Sequence, residues 1–263
     1  MKTRIIAGVA IAVVLIAALL MGSVPTAVLA LIACAVALYE YTDVVVGAKG
    51  RIDEVVLMFI LGLGLCVVMT FWPALIGIAL FVALMLVFIY RMLKKRYEAQ
   101  QAVFLLFGLV YIPIPLGMLL NISFSDVGIL VWLVFIIACA TDVAAYFVGM
   151  KFGRRKLIPA VSPKKSVAGA VGGFVFGTLF TVLTGVVFKS FGFYKPLYHY
   201  ILIGVAGSIV SQFGDLTASM IKRMFHKKDY GSLIPGHGGI LDRIDSILFV
   251  IPVVYLYAYF IQL

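Results

Sequence analysis

Apolar residues run through this chain in nine long stretches, at positions 5–22, 24–40, 55–72, 73–92, 102–120, 126–149, 166–188, 199–221 and 244–262. A helix needs about 20 mostly apolar residues to cross the hydrocarbon core of a bilayer, and each stretch comes close to that length. Pro25, Pro73 and the Asn121–Ser125 stretch interrupt the pattern where a chain would turn between adjacent helices. The pattern predicts an all-α, polytopic transmembrane helix bundle of about nine spans, forming a single integral membrane domain over 1–263. The longest polar interruptions, 150–165 and 222–243, fall in the second part of the chain.

Composition strengthens this reading. Of 263 residues 64% are hydrophobic and only 12% charged, and the mean hydropathy is +1.19. A soluble domain carries about 25% charged residues, so much of this apolar surface must face lipid. The net charge of +10 would suggest nucleic acid in a soluble protein. In a membrane protein, basic residues instead mark loops beside the anionic cytoplasmic leaflet, and no nucleic-acid partner is expected. Cys34, Cys66 and Cys139 sit singly in apolar stretches and form neither a disulfide framework nor a zinc motif. The basic start, Lys2 and Arg4 before an apolar run, lacks a small-residue cleavage site and reads as an uncleaved first span.

Nineteen of the 21 Lys and Arg fall on one side of such a bundle, and only Lys189 and Lys195 on the other. The basic side includes Lys49, Arg51 and both long polar loops, and it belongs in the cytoplasm. The N-terminus is then cytoplasmic and the C-terminus outside.

Charges inside spans are expensive and usually functional. Glu40, Asp43, Asp53, Glu54 and Glu98 lie at or near predicted helix ends, and Asp126 lies near the outer surface, where solvated caps and ion pairs are expected. Glu40 and Asp43 stand where the second span reaches the cytoplasm. Asp142, inside an apolar segment, needs a cation or a metal as partner. On the eighth span Ser211, Asp215, Ser219 and Lys222 fall within about 80° of one another at 3.6 residues per turn. Such a stripe is either interhelical glue or a site. Asp242 and Asp245, three apart, enter the ninth span on one face. With Asp215 they form an oxygen-rich set suited to Mg²⁺, which takes a few carboxylates plus water and phosphate oxygens.

Gly236, Gly238 and Gly239 precede that helix, and a glycine turn at a helix start offers N–H groups to phosphate. Lys222, Arg223, Lys227, Lys228 and Arg243 supply counter-charge. Such a set suits phosphoryl or nucleotidyl transfer, where positioning and charge neutralisation do most of the catalysis. His237 is read either as a hydrogen-bonding spacer or as a general acid or phosphate ligand. Lys164 and Lys165, after Pro163, either grip phosphate or sit at the membrane surface.

The run from Ser219 to Asp245 resembles the signature of the phosphatidate cytidylyltransferases, also called CDP-diacylglycerol synthases. It holds the serine, Lys222-Arg223, Lys228-Asp229, Pro235-x-His237-Gly238-Gly239 and Asp242-Arg243-x-Asp245. Asp142 to Gly153 and Ser162-Pro-Lys-Lys165 also look like family features, whereas residues 1–100 carry no recognised motif and 101–263 hold the site. Where the family commonly has Thr-Trp/Val-Glu-Gly, this chain has Ser166-Val-Ala-Gly169, so Ala168 stands at the glutamate position.

The resemblance implies that phosphatidate attacks the α-phosphorus of CTP and displaces pyrophosphate. Asp215, Lys222, Asp242 and Asp245 would be catalytic, with Asp215, Asp242 and Asp245 as metal ligands; Asp142, by its mid-span position, is a further candidate ligand. Ser219, Arg223, Lys228, His237, Gly238, Gly239, Arg243, Lys164 and Lys165 would bind substrate. It implies Mg²⁺, with room for a second divalent ion or an added monovalent cation. It also implies membrane lipids as surroundings, a homodimer, and a bacterial-type inner membrane with a cytoplasmic site. A CDP-alcohol or prenyl-phosphate transferase is the nearest alternative reading and a transporter the next.

Overall fold

The computed structural model describes residues 2–47, 52–233 and 238–262. Lys49, Arg51, Gly236 and His237 therefore lie outside the described residues. Among the described residues ten α-helices follow in order: α1 (Lys2–Met21), α2 (Ser23–Val46), α3 (Ile52–Phe71), α4 (Ile76–Leu93), α5 (Ala99–Tyr111), α6 (Pro113–Ser123), α7 (Val131–Phe152), α8 (Val167–Ser190), α9 (Leu197–Met224) and α10 (Leu241–Gln262). Among the described residues eight segments are long and apolar enough to cross a membrane, and Gly8–Met21 is a shorter apolar helix. The all-α membrane bundle expected from the hydrophobic pattern is what forms.

The departures from the pattern have local causes. The expected span at 102–120 is two helices, α5 and α6, because Pro113 and Pro115 withhold amide donors where the ladder would continue. Helix α2 runs on to Val46 and stops at Gly47, whose left-handed backbone (φ 66°) is the usual glycine terminator. Glu40 and Asp43 therefore stand within the helix rather than at its end. Between α7 and α8 the polar loop folds into an antiparallel pair of short strands, β1 (Lys156–Ile158) and β2 (Ser162–Ser166), with Lys156 opposite Ser166. Their brevity, charge and Pro163 hide them from a periodicity reading.

The chain forms two compact units, Met1–Asp126 with Phe225–Arg243, and Val127–Met224 with Ile244–Leu263. In the first, α2, α3 and α6 pack around Leu38, Met58 and Leu120, all nearly or fully buried. Cys34 of α2 and Cys66 of α3, remote in sequence, are both fully buried here as free thiols. The acids of α3 form the ion pairs that were one of the two expectations, Asp53 partly exposed and Glu54 away from solvent. Glu54, fully buried, pairs with Arg91 at 2.9 Å and Arg96 at 3.0 Å, and Arg91 also reaches Glu98 at 3.0 Å. Buried charges persist only when paired in this way.

In the second unit α8 packs tightly on α7 through Gly169, Gly173 and Gly177, spaced four apart on one face. A Cβ at Gly169 would stand 2.6 Å from the Ala145 carbonyl, and one at Gly173 2.8 Å from that of Thr141. Small residues at this spacing let membrane helices approach backbone to backbone. Ser166 begins α8, its hydroxyl accepting the Gly169 N–H at 3.1 Å.

Candidate functional site

The second unit gathers polar groups from four elements. Helix α9 projects Asp215, Ser219 and Lys222 along one face, and the Ser219 hydroxyl donates to Asp215 Oδ1 at 3.3 Å. Strand β2 delivers Lys165, whose Nζ meets Asp215 Oδ2 at 2.7 Å and the Gln212 carbonyl at 3.3 Å. Helix α10 brings Asp245, 6% exposed, and Ser246, 3% exposed. The Ser246 hydroxyl donates to Asp142 Oδ2 of α7 at 2.9 Å, and its N–H bonds Asp245 Oδ1 at 2.8 Å. Asp245 lies within electrostatic range of Asp215, Lys222 and Asp142.

Gly214 makes this convergence possible. A Cβ there would lie 2.6 Å from the Asp245 carbonyl and 3.1 Å from Phe249 Cβ, so only glycine allows α9 and α10 to come this close. One turn earlier, the Ser211 hydroxyl is buried with no hydrogen-bond partner. Three carboxylates from α7, α9 and α10 are thus set among two lysines, Lys165 half-buried and Lys222 buried.

In the first unit Asp242 orders the glycine turn. Its Oδ2 accepts N–H groups from Gly239 and Tyr230, both at 2.9 Å. Gly238 has a left-handed backbone (φ 82°), which glycine adopts without strain. Glu40 accepts from the next two amides, Ile240 at 3.1 Å and Leu241 at 2.9 Å. Beside it is a cavity of about 530 Å³ lined by Tyr39, Glu40, Asp43, Phe59, Tyr230 and Leu233.

The remaining residues singled out in the sequence stand apart from these bonds. Lys164, Arg223, Lys228 and Arg243 are exposed. Ser246, Gln212 and the amides at Tyr230 and Ile240 entered no sequence pattern. Ser246 adjoins Asp245, and its adjacency to a proposed ligand is the one signal that would have raised it.

The donor set suits a hard divalent cation, since it consists of carboxylate oxygens balanced by lysines. Among the described residues no three His, Cys, Asp or Glu side chains converge closely enough to enclose an ion alone. A divalent ion held here would take most of its coordination from water and substrate oxygens, as magnesium usually does.

A model of the cytidylyltransferase family matches residues 2–261. The phosphatidate cytidylyltransferase of Bacillus subtilis (strain 168) is 33% identical over 262 residues, covering 97% of this chain and 96% of the relative. The protein of the same name from Rickettsia bellii (strain RML369-C) is 34% identical over 183 residues, 67% of this chain and 79% of that one. A third, from Staphylococcus saprophyticus, is 36% identical over 159 residues, 60% of each chain. Matched from one end to the other and carrying clustered carboxylates and lysines on apolar helices, the chain belongs to the cytidylyltransferase family.

Proposed function

We propose that the protein is a phosphatidate cytidylyltransferase, which converts CTP and phosphatidate into CDP-diacylglycerol and pyrophosphate. The observation that carries this reading is the meeting of Asp142, Asp215 and Asp245 with Lys165 and Lys222 on otherwise apolar helices of a membrane bundle. A phosphate oxygen of phosphatidate forms a bond to the α-phosphorus of CTP while the bond to the β-phosphate oxygen breaks. No protein nucleophile is required, because the lipid phosphate is already an anion.

Asp215 and Asp245, with Asp142, would hold Mg²⁺, and Asp242 would contribute by ordering the turn before α10. When bound, the ion supplies charge neutralisation at the transferring phosphoryl group. Lys222 faces the same cluster and stabilises charge on the departing pyrophosphate. Lys165 holds Asp215 in place and stands ready to exchange that pairing for a substrate phosphate. Exposed Arg223, Lys228 and Arg243, with Lys164, draw anionic substrate to the bilayer surface.

The site is assigned to the cytoplasmic face of a bacterial-type inner membrane on the strength of the Lys and Arg distribution. A homodimer belongs to the same reading and rests on the family resemblance alone. The test is direct. Purified protein in detergent, given phosphatidate, Mg²⁺ and each nucleoside triphosphate in turn, should release pyrophosphate and form nucleotide-linked lipid with CTP. Equal turnover of all four nucleotides, or none, overturns the reading.

A further inference from the structure

Glu40 belongs to the hundred residues that carry no part of the signature, yet it is only 3% exposed. A carboxylate removed from water is costly unless its oxygens are hydrogen-bonded. Here one oxygen accepts the Ile240 N–H and the other the Leu241 N–H. Those amides open α10 and belong to the donors that a helix start leaves unmet. The preceding amide, Gly239, is held by Asp242. Three consecutive N–H groups are therefore each bound by a carboxylate, two of them by Glu40.

The same carboxylate is gripped between two glycines. A Cβ on Gly231 would stand 2.7 Å from Glu40 Cδ, and one on Gly239 2.5 Å from it. Neither glycine has positive φ. Glu40, and not backbone strain, is what excludes a side chain at both places.

We propose that Glu40 is a positioning residue for cytidylyl transfer, fixing Gly231 and the Gly239–Leu241 backbone and so the first turn of α10. Asp242 stands on that turn and Asp245 one turn later on the same helix. The inference rests on the cytidylyltransferase reading for its functional consequence, and on bond geometry alone for the clamp.

The test uses Glu40→Gln, Glu40→Asp and Gly231→Ala in the full-length protein. Glu40→Gln keeps the volume but turns one acceptor into a donor facing an amide. Glu40→Asp keeps the charge on a shorter stem. Gly231→Ala pushes the carboxylate aside without removing it. Three quantities are measured: kcat and KM for each substrate, hydrogen exchange over 238–245, and the folded fraction from thermal unfolding.

Loss of a group that supports a ligand from behind typically costs about 10- to 100-fold in activity. Glu40→Gln should lower kcat on that scale, leave the phosphatidate KM unchanged and speed exchange at 239–241. Glu40→Asp should fall between it and the wild type, and Gly231→Ala should move both readouts in the direction of Glu40→Gln. Wild-type kcat in folded Glu40→Gln, a loss that only tracks the folded fraction, or unchanged exchange at 239–241 would each overturn the inference. If the wild-type protein makes no CDP-diacylglycerol, the cytidylyltransferase reading falls, and exchange alone then decides the clamp.

Discussion

Asp245 is nearly buried, with Asp215 and Asp142 as anionic neighbours and Lys222 as the cation in range. Two lysines and hydrogen bonds from Ser219 and Ser246 answer only part of that negative charge, and the proposed divalent ion would supply the rest. Asp245→Asn keeps shape and hydrogen bonding but removes a charge, so it should lower kcat by about 10²-fold while the protein inserts and purifies normally. Near-normal turnover would make the acid a packing element. Lys222 and Arg223 are adjacent but part company in burial, Lys222 being 8% exposed and Arg223 open. Lys222→Met should reduce kcat more than it raises KM, since the charge it meets grows in the transition state. Arg223→Met should mainly raise the KM for phosphatidate, because a guanidinium suits a phosphate monoester. Steady-state kinetics with each substrate varied separately tell the two apart, and identical profiles would contradict the assignment. Of these residues, Asp215, Ser219 and Lys222 were legible because polar groups three and four apart on an apolar helix form a stripe. The Lys165–Asp215 pair and the Ser246–Asp142 bond were not, since each joins residues about 50 to 100 positions apart.

Among the helices, positions were legible to a few residues, because length and hydropathy fix a span. The ends were less so, because single residues set them. Gly47 carries α2 past Glu40, and Pro113 divides α5 from α6. Helix separation left no trace in hydropathy at all, and it is decided by glycines such as Gly214. Gly214→Val would force its side chain against the Asp245 carbonyl and Phe249. The helices must then separate, and Asp215 and Asp245 with them. Overpacking of this kind typically costs about 1–3 kcal/mol, so the variant should unfold at lower temperature and lose activity beyond its loss of folded protein. Gly77→Ala on α4 is the control, because nothing lies within 4 Å of its added methyl. It should leave activity unchanged and gain up to about 1 kcal/mol of helix propensity. Equal activity in both variants would remove close α9–α10 approach from the account of the site.

At the scale of the molecule, the chain passes from the second compact unit to the first and back within the signature. Ser219 and Lys222 belong to the second, Gly238 to Asp242 to the first, and Asp245 to the second again. Hydropathy treats these spans as one run of equivalent segments, so it cannot register that division, which is made by contacts far apart in sequence. The proposed orientation rests on charge. Basic residues are held on the cytoplasmic side during insertion, and nineteen of 21 fall on the side that contains the 222–243 loop. Lys228 is exposed in that loop, and Tyr194, 67% exposed, lies between α8 and α9 on the opposite side by this count. Cys34 and Cys66 are buried, so replacing exposed Cys139 by alanine leaves a quiet background. In that background Lys228→Cys should react with an impermeant maleimide only in inverted vesicles, and Tyr194→Cys only in intact cells. The reverse pattern would put the carboxylate and lysine cluster on the outer face, away from cytoplasmic CTP, and the orientation and the proposed substrate would fall together. Labelling of both positions from one side would instead mean an even number of crossings between them, which the single passage of α9 does not allow.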